Sequence, residues 1–424
     1  MNKFKYCGLV LLLFVGVEVF AQNNTSSYFS RYGLGDIEIT GKGRVAAMGG
    51  AGIALGSKYS LNHLNPASYG SLDSMSFIFE GGLKALATRF ETSNGSNEVS
   101  TINFDYLTIA FPVTSWWRSS LGLTPYSSIG YKLDSEITRE DKDGNFLFKL
   151  KSKLDGKGGL SKAYYSNSFV LFKDLYLGAN VSYLFGTIER SKKETFLKQD
   201  GSIDKSFITT SKDEKYKIHD ILFDFGFQYN KRVSEDYKFS LGGIYTPKTR
   251  LNNSYTNIAG VVNESKDNLD IYIPEKIGTG LSIEYKDNLI INFDYIIEKW
   301  KGIDLLETTS SYKYQDSKTI AMGIEYIPNR RSRNYLGAIA YRAGFHYTDS
   351  YMMIKHDNKY NSLKDMGISF GFGFPLKQSS TFINVAFELG QRGNISDTQM
   401  KETYGKVSLS FSLFSRWFYK QKYK

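Results

Sequence analysis

The chain has 424 residues, 23% charged and 41% hydrophobic, with 31 Tyr, 30 Phe, 39 Gly, only 7 Pro and a formal net charge of +10. That balance excludes a disordered chain, and no internal run reaches the ~18 apolar residues of a membrane-crossing helix. Abundant aromatics and glycines point to many strands, leaving a secreted β protein or a barrel whose every second residue faces lipid.

Met1 to Ala21 read as a secretory signal: Lys3 and Lys5 form a positive start, Gly8 to Val17 an apolar stretch, and Val19-Phe20-Ala21 a small-residue cleavage site. Cleavage removes Cys7, the single cysteine, so the mature chain has no thiol nucleophile, thiolate ligand or disulfide. An exported basic chain meets phosphate-rich outer-leaflet lipid rather than nucleic acid. Residues 22–72 lack sustained alternation and are dense in Gly and Ala. Too short to be a stable domain alone, they are expected to fold as a plug inside the barrel.

From about Met75 to Phe414 apolar and polar residues alternate, the two-residue period of a strand with two unlike faces. Leu289, Ile291, Phe293, Tyr295 and Ile297 are separated by Asn292 and Asp294, and Val407, Leu409, Phe411 and Leu413 by Ser408, Ser410 and Ser412. The runs have the ~9–11 residues that tilted strands need to cross a membrane, and their ends carry Tyr, Trp and Phe, as an interfacial girdle would. Short links, such as Lys173-Asp174, Ser234 to Asp236 and Lys286 to Asn288, alternate with long polar stretches read as loops: Arg139 to Gly159, Arg190 to Ser206, Leu251 to Asn268 and Ser350 to Leu363. About fourteen strands are predicted, starting near Met75, Thr101, Ser119, Phe146, Leu175, Phe207, Tyr237, Asp270, Leu289, Ser311, Tyr335, Asp365, Thr381 and Lys401. The expected fold is an all-β, antiparallel transmembrane β-barrel over residues 73–414, with a tail at 415–424.

Three features resemble the hatch of the FadL family of outer-membrane transporters: Gly33-Leu34-Gly35, the small-residue run Ala46 to Gly56, and Asn65-Pro66-Ala67 just ahead of the first strand. The resemblance is sharpest over residues 28 to 82. It implies a fourteen-stranded barrel closed by an N-terminal hatch, in the outer membrane of a Gram-negative bacterium. A long-chain fatty acid or other hydrophobic compound would enter from outside and leave sideways at the third strand. In this chain that strand reads Leu121-Gly122-Leu123-Thr124-Pro125. Proline cannot donate to a ladder, and a closed barrel has no edge to put it on. Gly122, Thr124 and Pro125 are therefore expected to break pairing with the second strand and open a lateral window.

Leu34, Ile37, Ile39, Met48, Ile53 and Leu55 are candidates for a greasy path through the hatch, and Arg31, Arg44 or lumenal Arg342 could hold a carboxylate. The alternative is that these aliphatics only pack, and that the arginines pair with wall acids such as Glu284 or Glu388. Past Phe414 the tail carries Arg416, Trp417, Phe418 and Tyr419. Exposed aromatics and charges there invite an envelope-protein partner or anchor the chain beside lipid headgroups. Catalytic chemistry is not evident. Gly367-Ile368-Ser369-Phe370-Gly371 fits a nucleophile elbow only in letters, since it lies within an alternating strand rather than a strand–turn–helix. The four histidines lack metal-ligand spacing, and no enzyme, cofactor or metal is expected. Two functions compete: passive uptake of a hydrophobic compound, favoured at this level, and a barrel subunit or shuttle of a larger outer-membrane complex for protein secretion or barrel assembly. The expected partners are outer-membrane lipid and lipopolysaccharide, a hydrophobic small molecule, and other envelope proteins through the tail.

Overall fold

The structure is a computed structural model that describes residues 27–38, 41–93, 95–143, 145–260, 262–303, 311–330, 332–376 and 381–416. The expected signal segment, Ile39, Trp417, Phe418 and Tyr419 lie outside the described residues.

Fourteen antiparallel strands close into one barrel. They are β1 (Ser76–Thr92), β2 (Gly95–Pro112), β3 (Trp117–Glu140), β4 (Phe146–Leu171), β5 (Leu175–Leu197), β6 (Thr210–Arg232) and β7 (Tyr237–Thr246, resuming at Asn252–Ala259). β8 (Val262–Asp267, resuming at Glu275–Tyr285), β9 (Leu289–Lys299), β10 (Tyr312–Tyr314, then Ser317–Tyr326) and β11 (Ala340–His356) follow. β12 (Lys359–Pro375), β13 (Phe382–Arg392) and β14 (Lys401–Arg416) complete the wall. β14 pairs back onto β1 from Ser76↔Arg416 to Glu91↔Lys401. Ser415 and Arg416 are thus wall residues, and the last strand ends two residues later than its alternation suggested.

The two faces divide as the alternation requires. Along β9, Ile291 and Phe293 are exposed while Asn292 and Asp294 are buried. Apolar rows facing outward and polar rows facing a filled lumen fit a hydrocarbon surround. Aromatic side chains border the band where the short turns lie: Trp116 stacks on Phe169 at 5.9 Å, and Tyr237 tilts against Tyr285 at 4.9 Å. At the turn Lys286-Asp287 both residues have positive φ, 52° and 53°, as tight hairpins need to match strand twist.

The long polar stretches expected as loops are mostly strand, although 198–209 is a loop. β3 runs on to Glu140 and pairs with β4 from Phe146 onward, and β5 stays paired with β6 as far as Glu194↔Thr210. β4 has 26 residues against 11 in β9, a difference on the order of 50 Å of chain at ~3.3 Å per residue. One side of the wall therefore stands far above the apolar band. There both faces meet water, so no apolar period marks the strands.

Residues 27–38 and 41–75, the expected hatch, pack against wall strands around the ring. They contain three short 3-10 turns, Tyr28–Arg31, Gly43–Met48 and Pro66–Ser71, and a two-residue strand, Asp36–Ile37. Every residue from Gly43 to Met48 is buried.

Candidate functional site

Asn65-Pro66-Ala67 works as a fastening. Pro66 occupies the first position of its turn, where a missing N–H costs nothing. The Asn65 side-chain oxygen caps the turn by accepting from the Ala67 N–H at 3.0 Å. Its amide nitrogen donates to the Ile53 carbonyl at 2.8 Å and to the Phe227 carbonyl of β6 at 3.0 Å. One fully buried side chain thus ties turn, hatch loop and wall together. Asn65→Ala would leave the Ala67 N–H unpaired, at ~1–3 kcal/mol, and take one donor each from the Phe227 and Ile53 carbonyls, of which Ile53 keeps the Gln228 amide at 3.2 Å. It is expected to make the hatch of the folded barrel cleavable by trypsin, with Asn65→Asp, which keeps the cap but loses both donors, intermediate.

Wall carboxylates grip the hatch. Asp294 of β9 accepts from the N–H groups of Gly52 at 2.6 Å and Ile53 at 2.8 Å. Glu80 of β1 accepts from Leu61 N–H at 2.8 Å. Glu402 of β14 accepts from the Ser27 hydroxyl at 2.9 Å and the Phe29 N–H at 3.3 Å. Glu325 of β10 takes Arg44 in a two-pronged contact, both bonds 2.6 Å, and Arg342 of β11 at 2.7 Å. Two of the three arginines expected as carboxylate handles, Arg44 and Arg342, are therefore engaged by Glu325 rather than by Glu284 or Glu388. Glu284 lies 3.6 Å from Lys238, and Glu388 2.8 Å from Lys406. Ser369, the elbow-like serine, accepts the Gly49 N–H at 2.7 Å.

These acids escaped sequence reasoning because they are spread over β1, β9, β10 and β14 and meet the hatch only in the closed ring. Their common signal is only an acid on the lumenal side of an alternating run. Wall glycines complete the docking. A Cβ on Gly178, Gly226, Gly242 or Gly344 would collide with hatch atoms at Pro66–Ala67, Asn65, Ile53–Ala54 and Met48–Gly49 respectively.

Of the expected ligand-path residues, Leu34, Met48, Ile53 and Leu55 are packed, while Ile37 borders open space. Leu34 sits in a cluster with Phe29, Ile129 and Trp300, Met48 and Leu55 pack with Val45 and Ile290, and Ile53 with Ile244 and Ile296. The Arg31 guanidinium stacks 4.1 Å from the Tyr28 ring and bonds the Tyr32 hydroxyl. Two cavities among the described residues measure about 140 and 130 Å³. The first is bounded by Asp36, Lys84, Arg392, Glu402 and Lys406, and the second by Lys42, His63, Pro125, Lys162 and Asp224. Ile37 and Glu38 line both, so the hatch strand is their partition. Around it, Glu38 pairs with Lys84 and, at 3.0 Å, with Lys42, whose ammonium also meets Asp105 at 2.7 Å. Burial works against the Lys42 charge, yet Glu38 and Asp105 hold it above the usual lysine range. Burial, then the Lys42 charge, push the His63 imidazole down to about 4, so it is neutral at pH 7.

The wall has a seam between β2 and β3. β2 and β3 pair from Pro112↔Arg118 only as far as Leu107↔Leu123. Gly122, Thr124 and Pro125 lie where this ladder ends. The β3–β4 register shifts between Pro125 and Ser127, and the residues from Ser127 to Tyr131 are all buried where a wall strand would alternate. β3 thus turns inward. Gly159, at φ 146°, follows the bend from β4, and a Cβ there would strike the Ser127 carbonyl. The hatch lies along the freed edge: Asp36–Ile37 pair with Ser128–Ser127. Glu38 N–H donates to the Tyr126 carbonyl and Ser27 N–H to that of Gly130, both at 3.0 Å.

Among solved structures, the fold is similar to the Pseudomonas putida toluene transporter TodX, with a TM-score of 0.59 at 17% identity, covering 91% of this chain and 100% of that one. It is also similar to a Pseudomonas aeruginosa FadL homologue (TM-score 0.56, 12% identity, 91% and 100% covered). The Ralstonia pickettii toluene transporter TbuX gives a TM-score of 0.55 at 15% identity, with 88% and 98% covered. At such identities the likeness is one of fold, the FadL-type barrel. No curated protein matches by sequence. The BamG family model, however, matches residues 3–424, and with its whole barrel and hatch inside that match the chain belongs to the BamG family.

Proposed function

We propose that this protein is a permanently plugged outer-membrane barrel that serves as a subunit of a larger envelope assembly, in protein secretion or barrel insertion, rather than as an open channel. The observation that carries this reading is the fastening of the hatch by acids from β1, β9, β10 and β14. Between them the spaces of about 140 and 130 Å³ fall below the ~300–1,000 Å³ of small-molecule sites, and ion pairs line them. BamG family membership points the same way. In this reading residues 1–21 are removed on export, the apolar rows sit in outer-membrane lipid and lipopolysaccharide, and the aromatic–basic end, Arg416 to Tyr419, faces the periplasm. It involves no catalysis. Purification in mild detergent, analysed for bound proteins and bound lipids together, tests it. Envelope proteins in fixed ratio and no lumenal lipid are expected; a bound hydrophobic compound without partners would overturn it.

The seam favours a second reading, passive uptake of a hydrophobic compound leaving between β2 and β3, as the expected lateral window implies. Pro125→Val would restore a donor at the break, and uptake of a labelled fatty acid should then slow severalfold. Unchanged uptake would count against this route.

A further inference from the structure

On β10 to β12 the apolar band gives way to two lysines in line. Climbing from the short turns, the outward positions of β10 pass from Met322 and Ile320 to Lys318. Those of β12 pass from Ile368 and Met366 to Lys364. Asp349 of β11 lies between the lysines, in register with both: Lys318↔Asp349 and Asp349↔Lys364. Lys318 and Lys364 are the first outward charges above the hydrocarbon-facing rows of their strands, at the height where lipid headgroups begin.

Neither lysine has a carboxylate of its own. Asp349 accepts instead from neutral donors, the Gln315 amide at 3.2 Å and the Ser362 hydroxyl. Among the described residues no acid forms an ion pair with Lys318 or Lys364. Several other outward lysines are matched within the wall. Lys157 and Lys215 share Glu189 at 3.3 and 2.6 Å, Lys299 meets Glu275 at 2.9 Å, and Lys401 meets Glu91 at 3.4 Å. Beyond the pair, Lys313 adds a third positive charge, its ammonium 4.4 Å from the centre of the Tyr360 ring. Two strand spacings of ~4.8 Å separate Lys318 from Lys364, a gap that two four-carbon side chains can close from either side. An ammonium on a flexible stem is a point charge well suited to phosphate. Directly below, Ile368 is 57% and Met366 45% exposed, an apolar row beside the cations.

We propose that Lys318 and Lys364, with Lys313 behind them, bind one phosphate group of an outer-leaflet glycolipid, the lipid A end of lipopolysaccharide. The phosphate takes the place of the missing carboxylate and accepts from both ammonium groups, while the acyl chains lie along the outward rows of β10 to β12. Basic clusters beside a membrane recognise anionic headgroups in this way. The site rests on the apolar band facing outer-membrane lipid, and on neither the subunit nor the uptake reading.

Titration of the detergent-purified protein with diphosphoryl lipid A, followed by native mass spectrometry, tests it. One lipid is expected to bind ahead of a weaker remainder. Lys318→Gln combined with Lys364→Gln should weaken that first binding at least tenfold. Lipid A stripped of both phosphates should bind the parent as weakly as the intact lipid binds the double variant. Lys215→Gln, which removes a lysine already matched by Glu189, should change nothing. Equal affinity of parent and double variant, or of intact and phosphate-free lipid, would overturn the site. Displacement of the lipid by millimolar inorganic phosphate would assign the pair to a free anion and overturn the lipid reading. Heat-modifiable migration shows that the double variant is folded. Its recovery in the outer-membrane fraction keeps failure of the site distinct from failure of the membrane placement on which it rests.

Discussion

Replacing Glu325 by Gln is expected to release the hatch while the barrel stays closed. Glu325 is buried at 1% exposure and is the counter-charge of two buried arginines, Arg44 from the hatch and Arg342 from β11, with Arg330 at 3.9 Å beyond them. The amide keeps the shape and removes the charge. Arg44 and Arg342 are then left as neighbouring cations in a site with little water, and breaking a buried pair in this way costs about 3–5 kcal/mol. The wall does not depend on the contact, because β10 and β11 pair through their backbones from Lys318↔Asp349 to Tyr326↔Tyr341. Moving Arg44 out of the lumen is the cheapest relief. Trypsin should then cut after Arg44 at least tenfold faster, and ion conductance in planar bilayers should rise, with the folded band unchanged on unheated gels. Adding Arg44→Met should restore part of the protection, since one cation then remains instead of two. Equal protease resistance and conductance in Glu325→Gln and the parent would refute the role given to this carboxylate.

A second large effect is expected at Gly344 on β11. Its backbone is ordinary strand, so conformation is not the obstacle; space is. A side chain there would occupy the position of the Met48 carbonyl carbon and the Gly49 N–H, backbone atoms that cannot swing aside. Gly49 in turn has φ 64° and lies against Phe345, so the hatch turn has no room to retreat. Gly344→Val should expel this turn from its groove, a packing conflict of at least the ~1–3 kcal/mol of ordinary overpacking. The same experiment offers a strict control, because a Cβ on Gly405 would meet only Leu389, at 3.5 Å. Gly405→Ala should leave hatch protection as it is. If Gly344→Val also leaves it unchanged, the close approach of hatch and wall is not what holds the plug.

The wall was legible where one face of a strand is dry. Starts at Leu175, Tyr237 and Leu289, each just past a short turn, coincide with the observed strands, because apolar residues must point at hydrocarbon on every second position. Legibility failed where both faces are wet. β2 begins at Gly95 rather than near Thr101, and β8 at Val262 rather than near Asp270. Lys149, Lys151 and Lys153 read as a loop although they lie in β4, paired with Thr138, Glu136 and Asp134 of β3. Within the hatch, Asn65 stood out as a motif, but its partner, the Phe227 carbonyl, is a backbone atom 162 residues away that no side-chain pattern announces. Glu80, Asp294, Glu325 and Glu402 converge only once the ring is closed. Pro125 was readable as a break because proline's missing donor is a local property. That the hatch would occupy the vacated edge was not, since pairing there depends on the three-dimensional course of β3.

The plug's bonds to Glu402 constrain the order of assembly. Ser27, at the very start of the described chain, is held by a side chain 375 positions later, and the strand bearing that side chain is the one that seals the ring against β1. A ring completed around an empty bore would have to admit some fifty residues afterwards, past walls that leave them almost no clearance. That segment must therefore wait, with its binding groups unmet, until the final hairpin arrives. It is the mandrel around which the staves are wound, and bonds spanning so much sequence make that last step slow.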